Sequence, residues 1–90
     1  MTDQEFEQLK HDLKVIIIRE SDNEDEFDID DIDDNAPLIG SDSDIGLDSL
    51  DVLQIVMAIQ VEYDVRIESG KEGRLAFASV NALANVVRSG

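Results

Sequence analysis

The sequence predicts an all-α fold: a small bundle of three main helices, a candidate short fourth, and a long acidic loop between helices one and two. Three observations predict it. Apolar residues make up 42% of the chain, yet only Phe6, Phe27, Tyr63 and Phe77 are aromatic, so aliphatic side chains must fill the interior. Three stretches repeat apolar residues at three- and four-residue steps. Each of those stretches opens on a residue suited to cap a helix. Ninety residues are enough for one core and too few for two, so 1–90 is expected to be a single domain.

The first helix is announced by Thr2 and Glu5, a T-x-x-E capping box. Phe6, Leu9, Leu13, Ile16 and Ile17 follow at helical spacing, with Lys10, Lys14 and Arg19 toward the negative end. The β-branched run over 15–18 favours a strand, but the cap and the charge order outweigh it. Ten of the fifteen residues from 20 to 34 are acidic, a density that opposes compaction and predicts a solvated, mobile connection. Pro37 and Gly40 then punctuate an extended approach. Asp48 precedes the second helix, expected over 49–63, in which Leu50, Leu53, Val56, Met57 and Tyr63 recur. Val65 and Ile67 anchor an irregular segment, and residues 75–78 are a candidate turn of helix that Gly70 and Gly73 disfavour. Ser79 caps the last helix, which places Val80, Leu83 and Val87 on one face and ends near Arg88.

Charge and composition exclude several function classes. Twenty-two acids against seven bases give a net charge of −15, which repels nucleic acid phosphates and anionic membrane surfaces, so basic proteins are the expected partners. The charge is uneven: residues 1–45 carry −13 and residues 46–90 carry −2. With no cysteine there is no disulfide, no redox pair and no thiolate metal site, and one histidine removes His-rich zinc sites. The acidic start is unlike a secretory signal, and the longest apolar run is far too short to cross a bilayer. A soluble, cytoplasmic monomer is the expectation, and no metal is assigned.

The most informative stretch is Gly46-Leu47-Asp48-Ser49-Leu50-Asp51. A small residue, an N-cap acid and a hydroxyl arrive together at the first turn of a helix. Free backbone N–H groups and the positive end of the helix dipole favour a phosphate-bearing adduct on the Ser49 hydroxyl, which suits a phosphodiester. Asp48 is expected to accept from an early helix N–H, with Leu47 and Leu50 tucked into the core on either side. The bland alternative is that Asp48 and Ser49 only cap a helix. Other serines have poorer settings: Ser41 and Ser43 lie in the acidic loop, Ser21 and Ser69 in connections, Ser79 at a cap and Ser89 at the end.

With those residues in view, the chain resembles the acyl carrier proteins, whose serine in an Asp-Ser-Leu motif bears 4′-phosphopantetheine; here the motif is Asp48-Ser49-Leu50. The likeness continues through Asp51-Val52-Leu53-Gln54-Ile55-Val56-Met57-Ala58-Ile59 and Glu62-Tyr63-Asp64-Val65-Arg66-Ile67 to Ser79-Val80. The resemblance implies an acyl-carrier-like bundle that catalyses nothing. A phosphopantetheinyl transferase moves the prosthetic group from coenzyme A to Ser49, and its thiol then holds acyl groups as thioesters. It implies partners of the acyl-loading, ketosynthase and acyltransferase type with basic docking patches. Asp48, Asp51 and Glu62 are the carboxylates left to meet them, because Gln54, Gln60 and Val61 stand where many fatty-acid carriers have acids. It also suggests that Leu53, Val56, Met57 and Ile59 line an acyl pocket, although ordinary core packing explains the same spacing. Tyr63 is expected at the core edge and His11 in solvent.

The acidity moved into the first loop, and the Asp33-Asp34-Asn35-Ala36-Pro37-Leu38 approach, resemble carriers of specialised pathways, whether fatty-acid, polyketide or related. A peptidyl or aminoacyl carrier is the alternative within this class, and a chain beginning at Met1 is expected to stand free. An acidic interaction module without a prosthetic group is the alternative outside it. A calcium loop starting at Asp42 fails on spacing, since Gly46 falls at its fifth position and Leu53 at its twelfth.

Overall fold

The computed structural model describes residues 2–40, 43, 45–67 and 75–89. In chain order they form α1 (Asp3–Glu20), one turn of 3-10 helix (Ile29–Asp31), α2 (Ser49–Tyr63) and α3 (Val80–Ser89). The all-α expectation holds, and the bounds of α2 are those the sequence predicts. Leu75 and Ala76 have helical backbone and Phe77 and Ala78 form a turn, closed by the Ala78 N–H donating to the Leu75 carbonyl. The glycines expected to weaken that turn, Gly70 and Gly73, and the rest of 68–74 lie outside the described residues.

Helix α1 is the central element, with α2, α3 and the 3-10 turn each packed on it. It starts at the expected capping box, in which Thr2 accepts from the Glu5 N–H and Glu5 reaches back to Thr2. A central helix must bury more than one stripe. That is why Ile16, Ile17 and Ile18 are all buried in succession and why the β-branched run is helical. Helix α3 contributes Val80, Leu83, Ala84 and Val87 from one face. The core is mainly aliphatic, but Phe77 sits fully buried among the largest interior side chains.

The acidic connection is more structured than its charge predicts. Phe27 and Ile29 pack against the core and Ile32 is buried, so apolar residues interleaved with the acids pin the segment down. Its far end is held electrostatically: Asp34 lies 3.0 Å from the Lys10 ammonium and 2.6 Å from that of Lys14. Lys10 is buried, pairs also with Glu7, and lies over the Phe6 ring, which Arg88 of α3 approaches as well. Burial alone would raise the Asp34 carboxyl, but the Lys14 and Lys10 ammonium groups hold it below the usual carboxylate range. Hydrogen bonds from Lys10 to Glu7 and Asp34 raise the lysine in turn. The backbone carbonyl of Asp34 also accepts from the Asn81 N–H in the first turn of α3. Asp34 alone therefore ties the connection to two helices.

Candidate functional site

The approach to α2 is fixed before the helix begins. Gly46 has φ +61, the left-handed region that side-chain-bearing residues avoid, and its N–H donates to the Ser43 hydroxyl at 3.0 Å. The chain then turns Leu47 inward, where it is 3% exposed, while its N–H donates to the Leu38 carbonyl and it bridges to Ile39. With Leu47 anchored, Asp48 becomes the N-cap. Its Oδ1 accepts from the Asp51 N–H at 2.9 Å, and Asp51 Oδ2 accepts from the Asp48 N–H at 3.3 Å. This reciprocal box includes Asp51, a cap partner the sequence reading assigned only to docking, although an acid three residues after a cap acid was its signal.

Because Asp48 and Asp51 do the capping, Ser49 is left as the first residue of the helix proper. Its side chain is exposed, and among the described residues its hydroxyl has no hydrogen-bond partner. The amide N–H groups of Ser49 and Leu50 are likewise unpaired among those residues. They belong to the orphan donors of a helix start, where the dipole favours negative charge. The arrangement is an accessible nucleophilic oxygen beside two donors suited to phosphate oxygens.

Leu50 departs from expectation. It is 62% exposed rather than buried beside Leu47, because Ile55 and Ile59 supply the inward face of α2. At about 100° per residue, Leu50 lies roughly 140° and 180° around the helix from them. Leu53 and Met57 are exposed too, and Val61 more than any of them. The four residues expected to line one acyl pocket are therefore divided: Ile59 is fully buried, Val56 half-buried, and Leu53 and Met57 face outward. Periodicity in α2 picks out the solvent stripe, not the core stripe, since apolar residues occur nearly all round the helix. Of the expected docking carboxylates, Asp48 and Asp51 are engaged in the cap and Glu62 pairs with Arg19 at 3.2 Å, all three still reaching the surface. Tyr63 is half-buried at the core edge, where burial, with Asp12 and Glu62 nearby, raises its hydroxyl. His11 is exposed as expected.

Residues 22–87 match the family model described as a phosphopantetheine attachment site. The chain belongs to this family. Phosphopantetheine-binding carriers hold 4′-phosphopantetheine covalently, are not catalysts themselves, and work with a phosphopantetheinyl transferase and with synthase enzymes. No curated protein and no solved structure matches the chain. The residues present fit the group: an open hydroxyl at a helix start, with two unpaired amides beside it, suits a phosphodiester. Among the described residues no helix is long and apolar enough to cross a membrane.

Proposed function

We propose that this chain, acting as one carrier domain over 1–90, is an acyl carrier protein whose attachment residue is Ser49. The observation that carries this is the division of labour at the start of α2, where Asp48 and Asp51 satisfy the helix and leave the Ser49 hydroxyl without a partner among the described residues. Leu47 holds the turn down and Asp48 fixes its angle, so the hydroxyl is presented from a rigid base to a phosphopantetheinyl transferase. Once attached, the prosthetic group supplies a thiol that carries acyl cargo as a thioester. The chain contributes no cysteine of its own to compete for that cargo.

An acyl rather than a peptidyl or aminoacyl cargo is favoured by the net charge of −15, high for the latter carriers. Cytoplasmic enzymes with basic patches are the proposed partners, meeting Asp48, Asp51 and Glu62 around an outer α2 face of Leu50, Leu53 and Met57. Gln54, Gln60 and Val61 leave the middle of that face uncharged, which fits a dedicated ketosynthase, ligase or transferase better than the enzymes of general fatty-acid synthesis. Val56 and Ile59, turned from solvent, are the residues left to shelter an acyl chain.

Coexpression with a broad-specificity phosphopantetheinyl transferase, followed by intact-mass measurement, tests the assignment. The expected result is one phosphopantetheine increment on the wild type and on Ser79→Ala, and none on Ser49→Ala. A wild type that stays unmodified beside a working transferase would favour the interaction module.

A further inference from the structure

Ser43 has a poor setting for modification, yet its hydroxyl is engaged. It accepts from the Gly46 N–H at 3.0 Å, and the Ser43 N–H donates to the Gly40 carbonyl at 3.2 Å. The chain is clamped at the next residue, where Leu47 bridges to Ile39 and donates to the Leu38 carbonyl. Gly46 is thus the last residue before a clamp, three positions before Ser49. Its φ is +61, and among the described residues the nearest atom that a side chain there would meet is the Ser43 carbonyl oxygen, at 3.9 Å. That is an ordinary contact, so the position takes glycine for its backbone angle and not for want of room. A glycine with space around it adopts either sign of φ about equally, and the bond to the Ser43 hydroxyl selects one.

We propose that Ser43 is a positioning residue for the attachment reaction: its hydroxyl holds Gly46 in the left-handed conformation that aims the Ser49 oxygen. The proposal rests on the reading of Ser49 as the attachment residue. In that reaction the Ser49 oxygen attacks the pantetheine-bearing phosphorus of coenzyme A. A new P–O bond forms, the pyrophosphate bridge breaks, the adenosine bisphosphate half leaves, and the serine proton passes to a base of the transferase. Displacement in line with the leaving oxygen depends on angle, and a misplacement of about 1 Å can cost on the order of a hundredfold in rate. Downstream of Leu47 the geometry is set by the Asp48–Asp51 box. Upstream of it, Gly46 decides. A flip to negative φ swings the Leu47 N–H away from the Leu38 carbonyl and gives the turn below Ser49 two settings instead of one. Ser43 acts through Gly46 and Leu47.

The test is steady-state loading of the full-length chain by a broad-specificity phosphopantetheinyl transferase at saturating coenzyme A, on wild type, Ser43→Thr and Ser43→Val. Threonine and valine are both β-branched and differ in the hydroxyl, so a cost of branching appears in both variants. Ser43→Val is expected to lose about three- to tenfold in kcat, the worth of one hydrogen bond. Its KM and Tm are expected to match those of Ser43→Thr, which loads like wild type. By NMR, the Gly46 amide is expected to exchange with water faster in Ser43→Val than in the other two. Equal kcat for the two variants, with wild type loaded on Ser49, would overturn the role and leave the Ser49 reading intact. A loss confined to KM would refute it in favour of direct contact with the transferase, and a loss that tracks a lower Tm in favour of a purely structural bond. A wild type left bare, or Ser49→Ala still loaded, would sink the Ser49 reading and this role with it.

Discussion

Two serines stand at two helix starts, and their hydroxyls are bonded in opposite ways among the described residues. Ser79 is itself the residue before α3, half-buried, and its hydroxyl accepts from the Ala82 N–H at 3.1 Å. Ser49 is the first residue of α2, one step further along, exposed, with Asp48 and Asp51 closing the cap in its place. A one-residue difference in register turns a structural hydroxyl into one available for chemistry. The helices differ in the same sense. Helix α3 is apolar on one face, which it buries, whereas α2 buries Ile55 and Ile59 and still presents Leu50, Leu53, Met57 and Val61 to solvent. An apolar stripe that the core does not need, starting beside the free hydroxyl, is what a contact surface requires.

The contrast is sharpest in the two faces of α2. Ile59→Ala should cost about 2–5 kcal/mol by opening a cavity in the core. Leu53→Gln should change stability by no more than about 0.5 kcal/mol while lowering a partner enzyme's kcat/KM several-fold. Urea unfolding beside a loading assay reads both, and equal stability losses would mean that the two faces are not distinct.

The anchor between the connection and α1 comes next in size. Asp34→Asn should cost about 1–3 kcal/mol, because it leaves a buried Lys10 with only Glu7. Since the Asp34 carboxyl is held low, its stabilisation is complete above its ordinary value of about 3.9 and fades as pH falls through the lower folded value. Lys10, raised, contributes fully below its ordinary value and loses that contribution as alkaline pH passes the folded value. Denaturant midpoints across pH should therefore show a shallower acid limb in Asp34→Asn than in wild type; identical limbs would remove the anchor.

The smallest effects belong to the serines. Ser79→Ala should destabilise by roughly 1 kcal/mol through a lost cap. Ser49→Ala should leave the melting temperature almost unmoved, because its hydroxyl holds nothing among the described residues. Reversed results would mean that Ser49 is the structural serine.

How much of this is legible in the sequence follows from how one-sided each element is. The caps at Thr2 and Ser79 and the amphipathic pattern of α3 leave little choice, and those helices sit where expected. The extent of α2 is legible from Asp48 onward, but its orientation is not, since a helix apolar nearly all round gives periodicity no face to choose. The connection was hard to place for another reason. Ten acids in fifteen residues mask Phe27, Ile29 and Ile32, whose packing depends on where α1 puts its surface, and Asp34 is one carboxylate among many until Lys10 and Lys14 come within 3.0 Å. The exposed setting of Ser49 at the first residue of α2 is legible because it depends on local register alone.

The most direct measurement of the central claim is fragment mass spectrometry that localises the modification on protein loaded by a phosphopantetheinyl transferase. The phosphodiester is expected on the fragment containing Ser49 and on no other serine. Modification at Ser43, Ser79 or elsewhere, with Ser49 bare, would contradict the account at its root.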